Sequence, residues 1–149
     1  MTALTLEYTD LNRALDEVRP LLEEWAAEHD EAAAPSDDTV HYTQLVLHEW
    51  IANLLQHAHF KSRAPTVQIR ASTENRHITC AVIDNSEGFD LAEQLSPDDD
   101  ADDFPERGMG LQIIDACTNQ LSYTSTASGR HRLEFTIPAD QDPCLSMLF

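Results

Sequence analysis

The sequence predicts an α+β fold, a two-layer sandwich in which a mixed, mostly antiparallel sheet carries helices on one face. The periodicity of apolar residues gives the order strand, helix, helix, two strands, loop, helix and two strands. The regular alternation of strand and helix that a doubly wound parallel sheet requires is absent from this order. We expect residues 1–149 to form a single domain, because this length supports one hydrophobic core and is short for two.

The composition is strongly acidic, with 27 Asp and Glu residues against nine Lys and Arg and a formal net charge of -18. This balance disfavours direct binding of nucleic acid, since phosphate contacts need many basic groups. It also creates self-repulsion at low salt, from which we infer a halophilic host. No apolar run reaches the roughly 20 residues that cross a bilayer, and the start of the chain lacks a signal-peptide core. We therefore expect a cytoplasmic protein with no membrane contact.

The chain opens with a strand and a helix. Leu4 to Tyr8 alternates between apolar and polar residues as a half-buried strand does. Asp10 can cap a helix that follows at once and runs to about His29. Pro20 falls inside this helical pattern, so we expect it to kink or interrupt the helix.

A second helix follows a linker at Asp30 to Pro35, and either Ser36 or Asp37 supplies its N-cap. In the stretch from Leu45 to Ala58, apolar residues recur every three or four positions, which predicts one buried side. These residues are Leu47, Trp50, Ile51, Leu54 and Ala58.

A polar row formed by Glu49, Asn53 and His57 follows the same helix, one turn at a time, away from the apolar stripe. The Asn53 carboxamide offers a neutral oxygen to a hard cation, and the Glu49 carboxylate can bind water or accept a proton. An ordinary solvated face is the alternative interpretation of this helix taken alone. The glycine-rich stretches downstream favour a functional site.

Four further strands are predicted. Val67 to Ala71 and Ile78 to Ile83 are alternating, β-branched runs that Ser72 to Arg76 joins as a hairpin. Leu121 to Thr126 and His131 to Ile137 form a final pair. Between the pairs, residues 90–107 are acidic and irregular and predict a long mobile loop, after which residues 108–117 read as a helix opened by glycines.

The first strand pair ends on DNSEGFD, residues 84–90. A carboxylate such as Asp84 at the end of a buried strand costs free energy unless a donor meets it, and a ligand amino group would suit. Gly88 permits close approach of the backbone or a positive φ. An ordinary turn with Asp and Asn as turn formers is the alternative interpretation.

The stretch ERGMGLQII, residues 106–114, places Gly108 and Gly110 before an apolar helix. Backbone N–H groups at a helix start form an anion site, and glycines let a phosphate reach them. The stretch is not a Walker loop, because GxxxxGK[ST] is absent, and no parallel βαβ unit supports a dinucleotide fingerprint. Zincin and eukaryotic protein-kinase motifs are absent as well, since HExxH, HRD and DFG do not occur.

Together, ExxxN on a helix, a D...GFD turn after a strand, an irregular loop and RGMGL at a helix start resemble the Bergerat-fold ATP-binding domains. These domains are shared by histidine kinases, gyrase-type ATPases and anti-sigma-factor serine kinases. The small size looks most like the last group, and the resemblance extends from the first strand to Pro138.

The resemblance implies a role for each matching residue. It implies Asn53 as the magnesium ligand, Glu49 as the base that activates the acceptor hydroxyl, and Asp84 as the carboxylate that reads adenine. The implied nucleotide pocket and phosphate-side lid also include Gly88, Arg107, Gly108, Met109, Gly110 and Leu111. The implied cofactors are ATP and Mg²⁺, the implied partners are a sigma factor or an antagonist protein, and a homodimer is suggested.

Two departures from the family pattern keep a second interpretation open. Ser86 stands where the first glycine of the DxGxG box usually lies, and its bulk and restricted backbone would weaken nucleotide binding. The acidic run at residues 98–103 would repel a triphosphate unless magnesium, salt or an outward position offsets it, and Arg107 is the one nearby cation. The chain is therefore either a protein serine/threonine kinase, favoured by Glu49, or a nucleotide-binding regulatory module without kinase activity.

Overall fold

The protein is described by a computed structural model over residues 3–60, 64–88 and 113–139. The elements in chain order are β1 (Leu4–Tyr8), α1 (Leu11–Ala27), α2 (Asp37–His57), β2 (Val67–Glu74), β3 (His77–Asp84), β4 (Asn119–Ser125) and β5 (His131–Ile137). Residues 113–117 are also helical. The predicted order of elements is confirmed over these ranges.

The five strands form one sheet in the order β1-β2-β3-β5-β4, and every pairing among the described strands is antiparallel. The predicted α+β class is confirmed. The sheet was predicted to be mixed and mostly antiparallel, and all the strand pairs in the described part are antiparallel. Tyr8, Val67, Asp84 and His131 lie opposite one another on successive strands. This row marks one end of the sheet, where β3 ends and β5 begins.

One face of the sheet is apolar and packs against the helices. Alternate strand residues such as Ile69, Val82 and Leu133 are fully buried, as expected for the covered face of an antiparallel sheet. Helix α1 packs against α2 and β1, while α2 also contacts β3 and β5. Helix α2 therefore lies over β3 and β5, which contribute Asp84 and His131 to the row just described.

Helix α1 begins as predicted, because the Asp10 side chain accepts hydrogen bonds from the backbone N–H groups of Asn12 and Arg13 at 3.0 and 3.4 Å. The helix continues through Pro20, so the predicted interruption does not occur, and it ends at Ala27, two residues before the predicted end. Pro20 is exposed. The carbonyl that loses its helical partner there can be hydrated, which reduces the cost of proline inside a helix.

Helix α2 begins at the Ser36 cap, whose hydroxyl accepts from the backbone N–H of Thr39 at 3.2 Å. The predicted apolar stripe is confirmed: Leu47, Trp50, Ile51 and Leu54 are fully buried, while Ala58 follows the helix as its C-cap and is half-buried. Among the described residues, no helix is both long and apolar enough to span a bilayer.

The β2–β3 hairpin is tighter than predicted. Pairing continues to Glu74 opposite His77, which leaves a two-residue turn instead of the predicted loop at residues 72–76. Asn75 and Arg76 both have positive φ, 52° and 67°, the conformation of a type I′ hairpin turn. The predicted loop was too long because residues 72–74, which are polar, belong to β2. The turn also contains no glycine that would have marked its position in the sequence.

The final hairpin differs from the prediction at β4 only. Strand β4 begins at Asn119, two residues before the predicted start, and its register with β5 is irregular between Asn119 and Ser122. The irregularity coincides with a positive φ of 56° at Gln120. Strand β5 has the predicted bounds, and half-buried and buried residues alternate regularly from Arg132 to Ile137.

Acidic side chains crowd the exposed side of the helical layer. They are Asp16, Glu23, Glu24, Glu28, Asp30, Glu31, Asp37 and Asp38. We predict that the melting temperature rises steeply between low salt and molar potassium chloride, because the Debye length falls from about 10 Å at 0.1 M to about 3 Å at 1 M. Differential scanning calorimetry with sucrose as a non-ionic control measures this effect. A melting temperature that does not respond to salt would contradict the halophilic interpretation.

Candidate functional site

Asp84, the last residue of β3, is fully buried on the face of the sheet that the helices cover. Its Oδ1 accepts a hydrogen bond from the backbone N–H of Ser86 at 2.8 Å and a second from the Ser86 hydroxyl. Its Oδ2 is buried and has no hydrogen-bond partner among the described residues. Buried polar atoms are rarely left unpaired, so this oxygen is suited to accept a hydrogen bond from a ligand.

Burial raises the pKa of Asp84 above the usual range of a carboxyl group. The hydrogen bonds from Ser86 and the nearby His131 act in the opposite direction and offset part of the rise. The ionised carboxylate is therefore unfavourable at this buried position unless a further donor reaches it. An amino group on a ligand would supply that donor.

The turn after β3 is held by hydrogen bonds that converge on Ser86, which is buried. The backbone N–H of Gly88 donates to the Ser86 hydroxyl oxygen at 3.1 Å. The Nδ1 atom of His131 lies 3.1 Å from the Ser86 carbonyl oxygen. Because a carbonyl only accepts, Nδ1 carries the proton in this contact.

Gly88 has both features for which a glycine was expected here, a positive φ and a close approach of a neighbouring group to its backbone. Its φ is +85°, and a Cβ built on it would lie 2.4–2.7 Å from three atoms of the His131 ring. Side chains rarely adopt that φ, and the imidazole occupies the place where one would go. A residue other than glycine at position 88 would therefore displace His131 or distort the turn.

An aromatic series connects this turn to α2. The His131 ring stacks on Tyr123 of β4, with centroids 5.6 Å apart and an interplanar angle of 21°. Tyr123 in turn contacts Trp50 of α2 edge-on, at 5.4 Å and 68°. Trp50 lies on the buried side of α2, so the series joins the turn to the core-facing side of this helix.

Backbone contacts join the end of α2 to the same turn. The backbone N–H of Glu87 donates to the carbonyl of His59 at 2.8 Å, two residues beyond the helix. The Asn85 side chain accepts from the N–H of Thr66 at 2.8 Å and donates to the carbonyl of Ala64 at 2.9 Å. The Asp84–Gly88 turn is thus fixed against both ends of the connection between α2 and β2.

The sequence-predicted site residues fall into three groups. Asp84 and Gly88 lie in one hydrogen-bonded turn with Ser86. Glu49 and Asn53 are both half-buried and lie one turn apart on α2. The predicted lid residues Arg107, Gly108, Met109, Gly110 and Leu111, with the acidic run at 98–103, lie outside the described residues.

Sequence reasoning missed Tyr123, His131 and the two-sided contact of Asn85. Asn85 was noted only as a turn former. His131 comes opposite Asp84 because β5 pairs with β3, and no local pattern around residue 131 indicates that pairing. Helical residues 113–117 follow the predicted glycine motif, and Ile113 and Ile114 are buried in the core.

Comparison with known proteins gives one family. The histidine kinase-like ATPase domain family matches residues 9–136, a range that includes Glu49, Asn53, Asp84 and Gly88. A search of the curated proteins gives no match. The antiparallel sheet with helices on one face agrees with the Bergerat fold expected for this family. The chain belongs to the histidine kinase-like ATPase domain family, and ATP is the ligand that this membership implies.

Proposed function

We propose that the protein is an ATP-dependent protein serine/threonine kinase of the anti-sigma-factor type. It would bind Mg-ATP, act in the cytoplasm and regulate a sigma factor or an antagonist protein by partner switching, as a homodimer. The observation that carries the nucleotide site is the buried Oδ2 of Asp84 at the end of β3, which has no hydrogen-bond partner in the part of the chain that the structure describes. Family membership supports ATP as its ligand.

Asp84 recognises adenine in this proposal. The exocyclic amino group of adenine donates a hydrogen bond, and Oδ2 is an acceptor that no described residue uses. A nucleotide base with a carbonyl group at the same position would place one acceptor against another. Neither oxygen would then have a hydrogen bond, which lowers the affinity for that nucleotide. Gly88 leaves room for the His131 ring beside this turn because it carries no side chain.

Asn53 and Glu49 act on the phosphate side. Asn53 offers a neutral oxygen to Mg²⁺, which would neutralise charge on the phosphates when bound. Glu49 lies one helical turn away and is half-buried, so it is available to accept the proton of an incoming serine or threonine hydroxyl. Arg107, Gly108, Met109, Gly110 and Leu111 complete the proposed pocket as its lid.

The second candidate function is a regulatory module that binds nucleotide and a partner but transfers no phosphate. Ser86 in place of a glycine and the acidic run at residues 98–103 favour this candidate. It shares the adenine and magnesium residues with the first and differs only in the role of Glu49. The two candidates therefore make the same prediction for binding and opposite predictions for transfer.

Asn53→Ala is expected to weaken the binding of Mg-ATP by an order of magnitude or more, because the metal loses its protein oxygen ligand. Isothermal titration calorimetry with and without EDTA measures the effect, and the loss should be confined to the magnesium-dependent part. Gln56→Ala is the matched control, since Gln56 is an exposed carboxamide on the same helix. Equal affinities for the two variants would show that Asn53 is not the magnesium ligand.

A further inference from the structure

We propose that Ser86 is a positioning residue for the nucleotide, which holds the Asp84 carboxylate so that Oδ2 is left for the base. This inference rests on the proposed role of Asp84 and goes beyond it. It assigns a function to a residue that departs from the family pattern. It also reverses the expectation that serine at this position impairs binding.

The hydrogen bonds of Ser86 divide the carboxylate into two unequal oxygens. Both donors of Ser86, its backbone N–H and its hydroxyl, go to Oδ1, and none goes to Oδ2. A carboxylate only accepts, so the hydroxyl is the donor in this contact. With Oδ1 held twice, rotation about the Cβ–Cγ bond of Asp84 would break two bonds, and Oδ2 keeps its place.

The same hydroxyl also orders the rest of the turn. Its oxygen accepts from the N–H of Gly88 at 3.1 Å, while His131 donates to the carbonyl of Ser86. A glycine at position 86 would keep the backbone donor to Oδ1 but would lose the hydroxyl donor and the acceptor for Gly88. The hydroxyl therefore donates one hydrogen bond within the turn, to Asp84, and accepts another, from Gly88. Ser86 is only 3% exposed, so its side chain is enclosed within the turn.

The hydroxyl also favours the ionised form of Asp84, because hydrogen bonding to a carboxylate lowers its pKa. His131 is the titratable group that faces Asp84 from the neighbouring strand, and it acts in the same direction. Loss of the Ser86 hydroxyl should move the pKa of Asp84 further up. The ionised carboxylate is the better acceptor for an amino group. As the pH is lowered, the variant would therefore lose ATP binding at a higher pH than wild type does.

The test compares wild type with Ser86→Ala and Ser86→Gly in calorimetric titrations with Mg-ATP between about pH 4 and pH 8. We expect both variants to bind roughly tenfold or more weakly, and the acidic limb of their affinity profiles to move to higher pH. Ser86→Thr keeps the hydroxyl and should restore the profile. Ser72→Ala is the matched control, because Ser72 is an exposed serine of β2.

A second measurement without nucleotide protects the test against variants that merely fold less well. Carbon-13 chemical shifts of the carboxyl groups give the pKa of Asp84 directly, with Asp84→Asn identifying its signal. Ser86→Ala or Ser86→Gly should raise that pKa. An unchanged pKa, or a Ser86→Gly variant that binds ATP as tightly as wild type, would overturn the inference and leave the proposed function intact. Absence of ATP binding by wild type would instead overturn the proposed function.

Discussion

Asp84→Asn is expected to weaken ATP binding by an order of magnitude or more and, at neutral pH, to stabilise the fold. The amide replaces an acceptor with a donor where the adenine amino group would bind, so two donors would face each other. The same change removes a fully buried carboxylate of which one oxygen has no partner among the described residues. Calorimetry measures the affinity, and denaturant unfolding without nucleotide measures the stability.

The stability effect has a defined dependence on pH. Because the pKa of Asp84 is raised in the folded protein, its carboxyl group binds a proton more tightly there than in the unfolded chain. Its stabilising contribution is present at low pH and is lost as pH rises from the ordinary aspartate pKa of about 3.9 through the raised folded value. Wild type should lose stability relative to Asp84→Asn across that window.

The difference between the two proteins isolates Asp84, because the other acidic groups are common to both. A stability difference that does not change with pH would show that Asp84 titrates normally in the folded state. Unchanged ATP affinity in Asp84→Asn would remove Asp84 from the nucleotide site. Either result could occur without the other, so the electrostatic and the binding arguments are tested separately.

Glu49→Gln is expected to reduce phosphoryl transfer by roughly 10² to 10⁴ while ATP affinity changes little. Glutamine keeps the shape and most hydrogen bonding of glutamate but cannot accept a proton at neutral pH. Phosphoryl transfer depends mainly on positioning and charge neutralisation. Glu49→Gln is designed to leave both in place and to remove only the group that accepts the proton. The assay uses labelled ATP with candidate antagonist proteins from the same genome and detects phosphoserine or phosphothreonine.

Glu24→Gln serves as the control for Glu49, since Glu24 is an exposed glutamate of α1. If wild type transfers nothing to any candidate yet binds a sigma factor in a nucleotide-dependent manner, the regulatory-module function is correct. If Glu49→Gln abolishes ATP binding as well as transfer, Glu49 belongs to the metal site. A catalytic base would then have to be sought elsewhere in the chain.

Local patterns predicted most of the fold. Caps at Asp10 and Ser36 and the apolar stripe of α2 determine the helix starts and the buried side of α2, and regular alternation determines β5. The predictions were poorest where the backbone departs from those patterns, at the positive φ angles of Asn75 and Gln120. Neither residue is glycine, so the sequence contains no strong signal for either conformation.

The site was less accessible to sequence reasoning than the fold. Asp84 could be identified because it is a carboxylate at the end of a buried strand. Gly88 could be identified because it is a glycine in the turn that follows. His131 and Tyr123 could not, because their positions beside the turn depend on the pairing of β3 with β5 and of β5 with β4. Such pairings join segments distant in the chain, and a single sequence records only local periodicity.

The aromatic series from Trp50 through Tyr123 to His131 has a consequence for the order of folding. It joins residues far apart in the chain, and His131 also holds the turn that contains Asp84. A growing polypeptide emerges N-terminus first, so the proposed adenine site cannot be complete until β5 has been synthesised and paired. Cellular ATP would then favour only the fully assembled sheet, since a ligand stabilises the state to which it binds. Nucleotide would then act on this protein as a late check on folding.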